Sequence, residues 1–446
     1  MRNNTVRRVL KAALAIICFA GVLSAAEAQT LDECIERGLQ HNYNLQITRN
    51  EQEIAHNNAT WANAGGAPTV DATARVSPSW TQMDRSVARA TGKVNSQDNA
   101  FDNALSAGVT LNWTLFDGYK IQTNYKQLQL LEQQGEIATR MAVEDLVADI
   151  SAEYYNYLQQ LIRQQHYRYT MSLSRERLRI ADTNYEIGRF SGLDRQLARS
   201  DYHADSAAYI LQSEAVMSSC IRLNKLMGND DVDRIIVVGD TSIVVRNNLQ
   251  LSDLWQRAQV ANTSLLYAKQ NSQMAELDMK KVMARNYPYL KLSGQYGYNY
   301  NVYSKGINSQ RHNLGLSAGL TLGFNIFDGN RRRERQNAQL AIQNRQLKQE
   351  QLQLDLRADL ATCWQSYRND LELLNLQREN LKIAESNMQS AMERYKIGNL
   401  SGFDMRQVQK NLLDAEEKVL QAEYDAKLCE ISLLLMSGDI AVYLEK

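Results

Sequence analysis

Few groups in this chain could do chemistry, and their spacing points to helix capping before catalysis. Ser191 and Asp194 stand three residues apart, and so do Ser401 and Asp404. At a helix start, S-x-x-D lets the hydroxyl accept from the N3 amide while the carboxylate reaches back to the N-cap amide. The helix dipole favours that negative charge. A second aspartate pair lies in Phe116-Asp117-Gly118 and Phe327-Asp328-Gly329. There an aspartate between strand and helix can N-cap, and the glycine eases the bend. The five histidines (41, 56, 166, 203 and 312) are dispersed without ligand spacing, so no metal site is expected. No nucleophile–base pair, phosphate loop or cofactor motif occurs, so neither an enzyme nor a cofactor is expected. Cys34, Cys220, Cys363 and Cys429 fall on helical patterns far apart and read as packing residues, not as a disulfide framework.

The elements that position these groups are unusual. Before Phe116-Asp117-Gly118, Leu105, Ala107, Val109, Leu111, Trp113 and Leu115 alternate with small and polar residues. Before Phe327-Asp328-Gly329, Leu314, Leu316, Ala318, Leu320, Leu322, Phe324 and Ile326 do the same. Strict period-2 alternation means a strand with one apolar and one wet face, and each run matches the ~9–11 residues of a tilted transmembrane strand. Val70 to Trp80 and Tyr289 to Val302 supply two more such strands, with polar loops expected over 81–103 and 303–311. Trp80, Trp113, Tyr289, Tyr296, Tyr298, Tyr300 and Tyr303 suit an aromatic belt at a membrane interface. After each Phe-Asp-Gly comes a helical pattern without proline, from Tyr119 to Tyr185 and from Arg331 to Tyr395, each ~100 Å long if continuous. Turns follow at Ile187–Gly192 and Ile397–Gly402, then further helices. In the last, Val408, Leu412, Ala415, Val419, Ala422, Ala426, Cys429, Leu433 and Met436 form a 3-4 spaced seam.

Residues 31–66 read as helix. Residues 229–250 read as a linker or equatorial segment with short strands at Ile235–Val238 and Ile243–Val245. The series then repeats: Leu31, Asn42, Leu45 and Pro68 match Leu251, Asn262, Leu265 and Pro288. The domain reading is therefore a signal peptide (1–28), repeat 1 (29–228), the linker (229–250) and repeat 2 (251–446). The signal peptide rests on Arg2, Arg7, Arg8 and Lys11, the apolar run Ala12–Ser24 and the cleavage signal Ala26-Glu27-Ala28. Lysine plus arginine equals aspartate plus glutamate at 50 each, so no basic field for nucleic acid exists. Four one-sided strands cannot close a barrel, since the smallest need about eight; two chains would give a narrow eight-stranded pore, and three chains twelve strands and a lumen.

On these residues the chain resembles the TolC-like outer-membrane efflux family. The resemblance rests on the repeat, on both strand–Phe-Asp-Gly–helix junctions, and on two turn motifs. Those are Tyr185-Glu-Ile-Gly188-Arg-Phe-Ser191-Gly192-Leu-Asp194 and Tyr395-Lys-Ile-Gly398-Asn-Leu-Ser401-Gly402-Phe-Asp404. One Y-x-x-G-x-x-S-x-x-D is weak, but two, each after a long helix that starts at Phe-Asp-Gly, are specific. Leu31 to Leu45 also resembles members from Bacteroidetes-type bacteria. The resemblance implies an α+β membrane protein whose homotrimer builds a twelve-stranded β-barrel in outer-membrane lipid and an α-helical coiled-coil tunnel in the periplasm of a Gram-negative bacterium. It implies a passive exit duct of a tripartite efflux pump or type I secretion system. A periplasmic adaptor (membrane fusion) protein would dock at the two turns, behind an inner-membrane pump of RND or ABC type. Asp194 and Asp404 match positions near the periplasmic constriction. Gln407 stands where a second aspartate is often found and Leu400 where a basic gate residue can occur, which thins any acidic gate. The competing reading is a periplasmic coiled-coil scaffold with a small soluble sheet and no pore.

Overall fold

A computed structural model describes residues 29–87, 91, 94–304 and 309–440. The expected signal peptide lies outside them. In chain order the elements are α1 (Leu31–His41), α2 (Tyr43–Asn58), β1 (Thr69–Val87), β2 (Val94–Asp117), α3 (Lys120–Glu186) and α4 (Gly192–Met227). They continue as α5 (Leu251–Ala261), α6 (Thr263–Ala284), β3 (Tyr289–Val302), β4 (Gln310–Gly323), α7 (Arg331–Lys396) and α8 (Gly402–Ser437). The order helix, helix, strand, strand, helix, helix thus occurs twice. The chain forms two compact units. One holds the sheet with residues Asn50–Ala138 and Tyr267–Leu352; the other holds the residues before Asn50, Thr139–Leu266 and those from Gln353 onward.

In the first unit the strands form one antiparallel sheet in the order β1-β2-β3-β4. The pairing sets Val76 opposite Leu105, Leu105 opposite Tyr300, Tyr298 opposite Leu314 and Leu292 opposite Leu320. Opposed residues share a face, because successive side chains alternate. The polar partners follow the same register: Arg75 opposite Ser106, Ser106 opposite Asn299, Asn299 opposite Asn313.

The first hairpin departs from expectation. The polar stretch 81–103 is paired strand nearly to its tip, with Val87 opposite Val94. Two strands already in register continue to satisfy each other's backbone amides after the side chains stop alternating apolar and polar. Conversely β4 ends at Gly323, so Phe324 and Ile326 keep the period but lie outside the ladder.

In the second unit, the helix expected over 31–66 breaks at Asn42, with a matching break at Asn262. Each side chain works at both ends. Asn42 Oδ1 accepts from the Leu45 amide (3.1 Å) and its Nδ2 donates to the Leu226 carbonyl (2.9 Å). Asn262 accepts from Leu265 (3.0 Å) and donates to Met436 (3.0 Å). Each asparagine therefore caps one helix and ties down the C-terminal end of another.

Segment 229–250 is not strand-rich. It makes one isolated bridge, Gln29 to Val238, and otherwise runs irregularly. Its β-branched residues serve as buried plugs (Ile236 and Ile243), while helix side chains take its backbone groups. Asn224 Nδ2 donates to the carbonyls of Val232 (3.0 Å) and Arg234 (2.7 Å), and the Tyr157 hydroxyl to Ile236 (2.8 Å). Lys427 Nζ donates to Val244 (2.9 Å), and the Arg246 amide donates to Glu430 (2.9 Å). A backbone satisfied by side chains has no need of a ladder.

The α8 seam packs as expected, with Leu412, Ala415, Val419, Ala422, Ala426 and Leu433 buried. Cys34 and Cys220 are buried, Cys363 and Cys429 half-buried, and all four are free thiols.

Candidate functional site

Three features bear on function. The first is the sheet face. Each strand exposes apolar residues on it, with Val76 at 68%, Leu105 at 41%, Tyr296 at 53% and Leu316 at 80%, while Leu111 and Leu292 are half-buried. On the inner strand β2 the polar and small neighbours Ser106, Gly108 and Thr110 are half-buried. A water-soluble sheet does the reverse and buries its apolar face. Tyr289, Tyr296 and Tyr298 of the expected aromatic belt, with Trp80 and Trp113, are also exposed. β1 and β4 are the edges of the sheet, and no further strand pairs with either among the described residues.

The second feature is the strand–helix junction, whose two copies are built differently. Asp117 Oδ1 accepts from the Ile121 amide (3.0 Å), a cap on the first turn of α3. Gly118 has φ +71°, and a Cβ there would stand 2.3 Å from the Ala284 carbonyl oxygen, so glycine is needed for conformation and for space. Tyr119 is also left-handed (φ +70°) and is held edge-on between Phe116 and Tyr287. Asp328 instead closes a local turn. Its Oδ1 accepts from the Asn330 amide (2.9 Å), and its carbonyl from Arg331. Phe327 is almost fully exposed, and Gly329 needs no positive φ. Asp117 thus caps the first turn at the first junction, though from two residues before the N-cap position, which Tyr119 holds, and Asp328 caps no helical amide among the bonds described at the second.

The third feature is the pair of helical turns, which share one construction. Gly188 (φ +74°) and Gly398 (φ +80°) end α3 and α7 in the left-handed conformation. Gly188 N–H donates to Tyr185 (3.0 Å) and Arg189 N–H to Asn184 (2.8 Å); Gly398 donates to Tyr395 (3.1 Å) and Asn399 to Arg394 (2.9 Å). This is the doubled bond of a Schellman cap. A Cβ on either glycine, or on Gly402, meets nothing within 4 Å, so the turns are open to approach. Ser191 and Asp194 form the full reciprocal capping box, and those bonds hold the Asp194 carboxyl below its usual range. At the other turn Ser401 accepts from the Asp404 amide (3.1 Å) and donates to the Asp404 carboxylate (2.7 Å), without the backbone return bond. Asp404 is exposed, while Gln407 is spent on Asn411 (2.8 Å). Phe190 packs on the buried Tyr395 ring, centroids 6.0 Å apart, and joins the turns; Arg195 lies over the exposed Tyr185 ring at 4.7 Å.

Behind the turns lies a buried charged layer that the sequence reading missed. Arg177 and Gln409 are each 1% exposed. Arg177 donates to Gln409 (3.0 Å) and pairs with Asp201. Arg406 clasps Asp205 through both terminal nitrogens (2.6 and 2.8 Å), and Ser174 donates to the same carboxylate. Gln409 Nε2 donates to Ser174 (2.6 Å) and to the Thr170 carbonyl (3.0 Å). Burial lowers the Arg177 pKa against the pull of Asp201; for Arg406 the Asp205 bonds outweigh burial and raise it. α3, α4 and α8 all contribute. The signal that could have found this layer is positional: Ala198, Asp205, Gln212 and Ser219 are buried at intervals of seven. A search for apolar residues skips such a seam. No cluster of three or more His, Cys, Asp or Glu suited to a metal ion occurs among the described residues.

A family model described as outer membrane efflux protein matches residues 34–229 and 254–439. The chain belongs to the outer membrane efflux protein family. It is an outer-membrane protein of the Gram-negative type that extends into the periplasm, and it is not an enzyme. The same fold occurs in solved outer-membrane proteins. The Campylobacter jejuni CmeC channel is 16% identical with TM-score 0.74, covering 92% of this chain and 85% of that one. Vibrio cholerae VceC is 15% identical with TM-score 0.71, covering 92% and 96%. The open-state MtrE channel of Neisseria gonorrhoeae is 15% identical with TM-score 0.66, covering 92% and 89%. A comparison with functionally curated proteins finds no match.

Proposed function

We infer that this efflux protein is a passive exit duct, built by three copies of the chain. The observation that carries the reading is the sheet: an apolar face that runs across four strands and is exposed at Val76, Leu105, Tyr296 and Leu316, a more polar opposite face, and two edges that no described strand pairs. A face of that kind is stable in lipid, where every backbone group must also be paired, and only closure removes the edges. Three chains give twelve strands and a water-filled lumen, whereas two would give a narrow, side-chain-filled barrel. The helices form the periplasmic tunnel, and the duplicated element order reflects an internal twofold sequence repeat. The two Schellman turns, open on their outer side, dock a periplasmic adaptor that links the duct to an inner-membrane pump of RND or ABC type, in a tripartite efflux or type I secretion assembly. Asp404 contributes one carboxylate per chain to the periplasmic constriction. The scaffold alternative would leave the apolar face in water, a contiguous patch that soluble proteins avoid.

The test is ion conductance in planar bilayers. Purified protein should insert and give discrete conductance steps without ATP or an ion-coupled partner. Folded protein that stays soluble without detergent and never conducts would overturn the reading.

A further inference from the structure

In the unit that holds the sheet, the helices follow the order of the strands. α2 meets α3 through His56 and Glu132 (2.6 Å), and Gly135 of α3 lets the α2 backbone come close, since a Cβ there would stand 3.4 Å from Gln52 Cα. α3 meets α6 through two bonds, Gln134 Nε2 to Asn271 Oδ1 (3.1 Å) and Gln127 Nε2 to Asp278 Oδ1 (2.7 Å). Arg285, just past the end of α6, pairs with Glu334 of α7 (2.6 Å). Within this unit α3 is engaged on both sides, whereas α2 and α7 stand at the two ends, as β1 and β4 do in the sheet. Both end helices expose apolar side chains away from that neighbour. Leu340 of α7 is 56% exposed and lies about 200° around the helix from the half-buried Ala338 and Ile342; Ile54 of α2 is likewise exposed and lies about 200° from Gln52.

The chain already holds one contact of the kind these faces lack. Counted back from the turn glycines Gly188 and Gly398, the half-buried row Glu334, Ala338 and Ile342 of α7 falls on Asn124, Leu128 and Glu132 of α3, the row on the α2 side. The same count sets Asn337, Leu340, Asn344 and Leu347 on Gln127, Leu130, Gln134 and Ile137, the row on the α6 side. In the short helices the match of Leu45 with Leu265 sets Glu51, Ile54 and Asn58 on Asn271, Met274 and Asp278. Between α3 and α6 these rows are joined. The two glutamine bonds run in opposite senses along the helices, so the pair is antiparallel, and Leu130, which lies between them, is 7% exposed. On α7 and α2 every residue of the corresponding rows is exposed.

We propose that the α7 row Asn337, Leu340, Asn344 and Leu347 of one copy packs antiparallel on the α2 row Glu51, Ile54 and Asn58 of the next copy, repeating between copies the contact that α3 and α6 make within one. Leu340 meets Ile54 of the next copy, and the Asn344 amide donates to its Glu51 where Gln134 donates to Asn271. Topology brings the two rows together: α7 follows the edge strand β4 and α2 precedes the edge strand β1, so pairing β4 with the next copy's β1 sets α7 beside the next copy's α2. Charge agrees, because α7 exposes Arg345 and Lys348 beside its row and α2 exposes Glu51 and Glu53. The contact joins two different surfaces, so it propagates from copy to copy and ends only when a ring closes. The inference rests on the three-copy reading and adds which faces meet.

The test is crosslinking of the full chain in outer membranes with a short bis-maleimide, followed by a denaturing gel, peptide mapping and native mass spectrometry of the same preparation. Leu340→Cys combined with Ile54→Cys should give covalent dimers and trimers whose linked peptides join residue 340 of one chain to residue 54 of another. Each single variant should give neither. Dimers from Leu340→Cys alone would show like faces meeting and overturn the proposal. Native trimers in which the double variant gives no 340-to-54 link would overturn it too, while leaving the duct reading intact; monomers alone would sink both. A second arm needs no new cysteine. Asn344→Glu sets two carboxylates opposite each other and should lower the temperature at which the detergent-solubilised oligomer dissociates, and adding Glu51→Lys should restore it. Failure of Glu51→Lys to restore it would refute the pairing of Asn344 with Glu51.

Discussion

Removing the Asp205 carboxylate should loosen the helix ends behind the turns, and the size of the effect follows from its contacts. Asp205 takes both terminal nitrogens of Arg406 and the Ser174 hydroxyl, and its side chain is 9% exposed against 16% for Arg406. With so little water near, solvent screening does not weaken the pair, and Asp205→Ala strands a buried guanidinium. Asp201, whose Oδ1 is 3.6 Å from Arg406 Nε, already serves Arg177 and cannot replace the lost fork. Breaking one partner of a buried pair costs about 3–5 kcal/mol. Asp205→Asn keeps an acceptor and should cost roughly half that, since a hydrogen bond to a charged group contributes ~1.5–3 kcal/mol. Hydrogen exchange by mass spectrometry on the detergent-solubilised protein reads this as local opening. Amides of α4 near Asp205 and of α8 near Gln409 should exchange at least ~100-fold faster in the alanine variant, while α1 and α2 are unchanged. Exchange in α4 and α8 within a few-fold of the parent would refute the view that this layer fastens α8 to α3 and α4.

Leucine at both Gly188 and Gly398 strains each turn by about 1–2 kcal/mol through its positive φ and meets no neighbouring atom, so the protein should still insert and assemble. Export through the pump should nevertheless stop in a cell-based efflux assay, and normal export would remove the turns as the docking end. Asp404→Asn should alter cation selectivity or conductance modestly in planar bilayers, because Ser401 still caps the helix; identical traces would reduce Asp404 to a cap. Glu416 is held up to about 7 from 4.5, by burial first and then by Glu385 and Glu417. The folded protein therefore keeps a proton that the unfolded chain releases, so the residue's penalty is absent below 4.5, grows through that window and is complete above 7. Glu416→Gln should raise the thermal midpoint on the alkaline side of 7 and leave it unchanged below 4.5; a uniform shift at both would contradict the assignment.

Much of the fold was legible because period and punctuation agreed. The alternation in Leu105–Leu115 and Leu314–Leu322 gave the face and, through pairing, the register. Proline-free helical patterns ended at Gly188 and Gly398 gave α3 and α7 within a residue or two. What stayed hidden was set by tertiary partners. Ile235–Val238 has strand composition, but Asn224 and Tyr157 take its carbonyls. The hairpin tip at Val87 and Val94 is strand because its neighbour is, not because its side chains alternate. The two Phe-Asp-Gly copies look alike, yet only Gly118 is pressed against a neighbouring carbonyl, so only the first junction needs its glycine. Asp205, Gln409 and Arg177 read as surface residues by type, and only their seam positions betray burial.

The central claim, that three copies of this chain close one barrel, is tested most directly by native mass spectrometry of the protein extracted from the outer membrane in mild detergent. The expected species has three times the mass of the mature chain and retains its β-structure in far-ultraviolet circular dichroism. A stable monomer with the full β-content would contradict it.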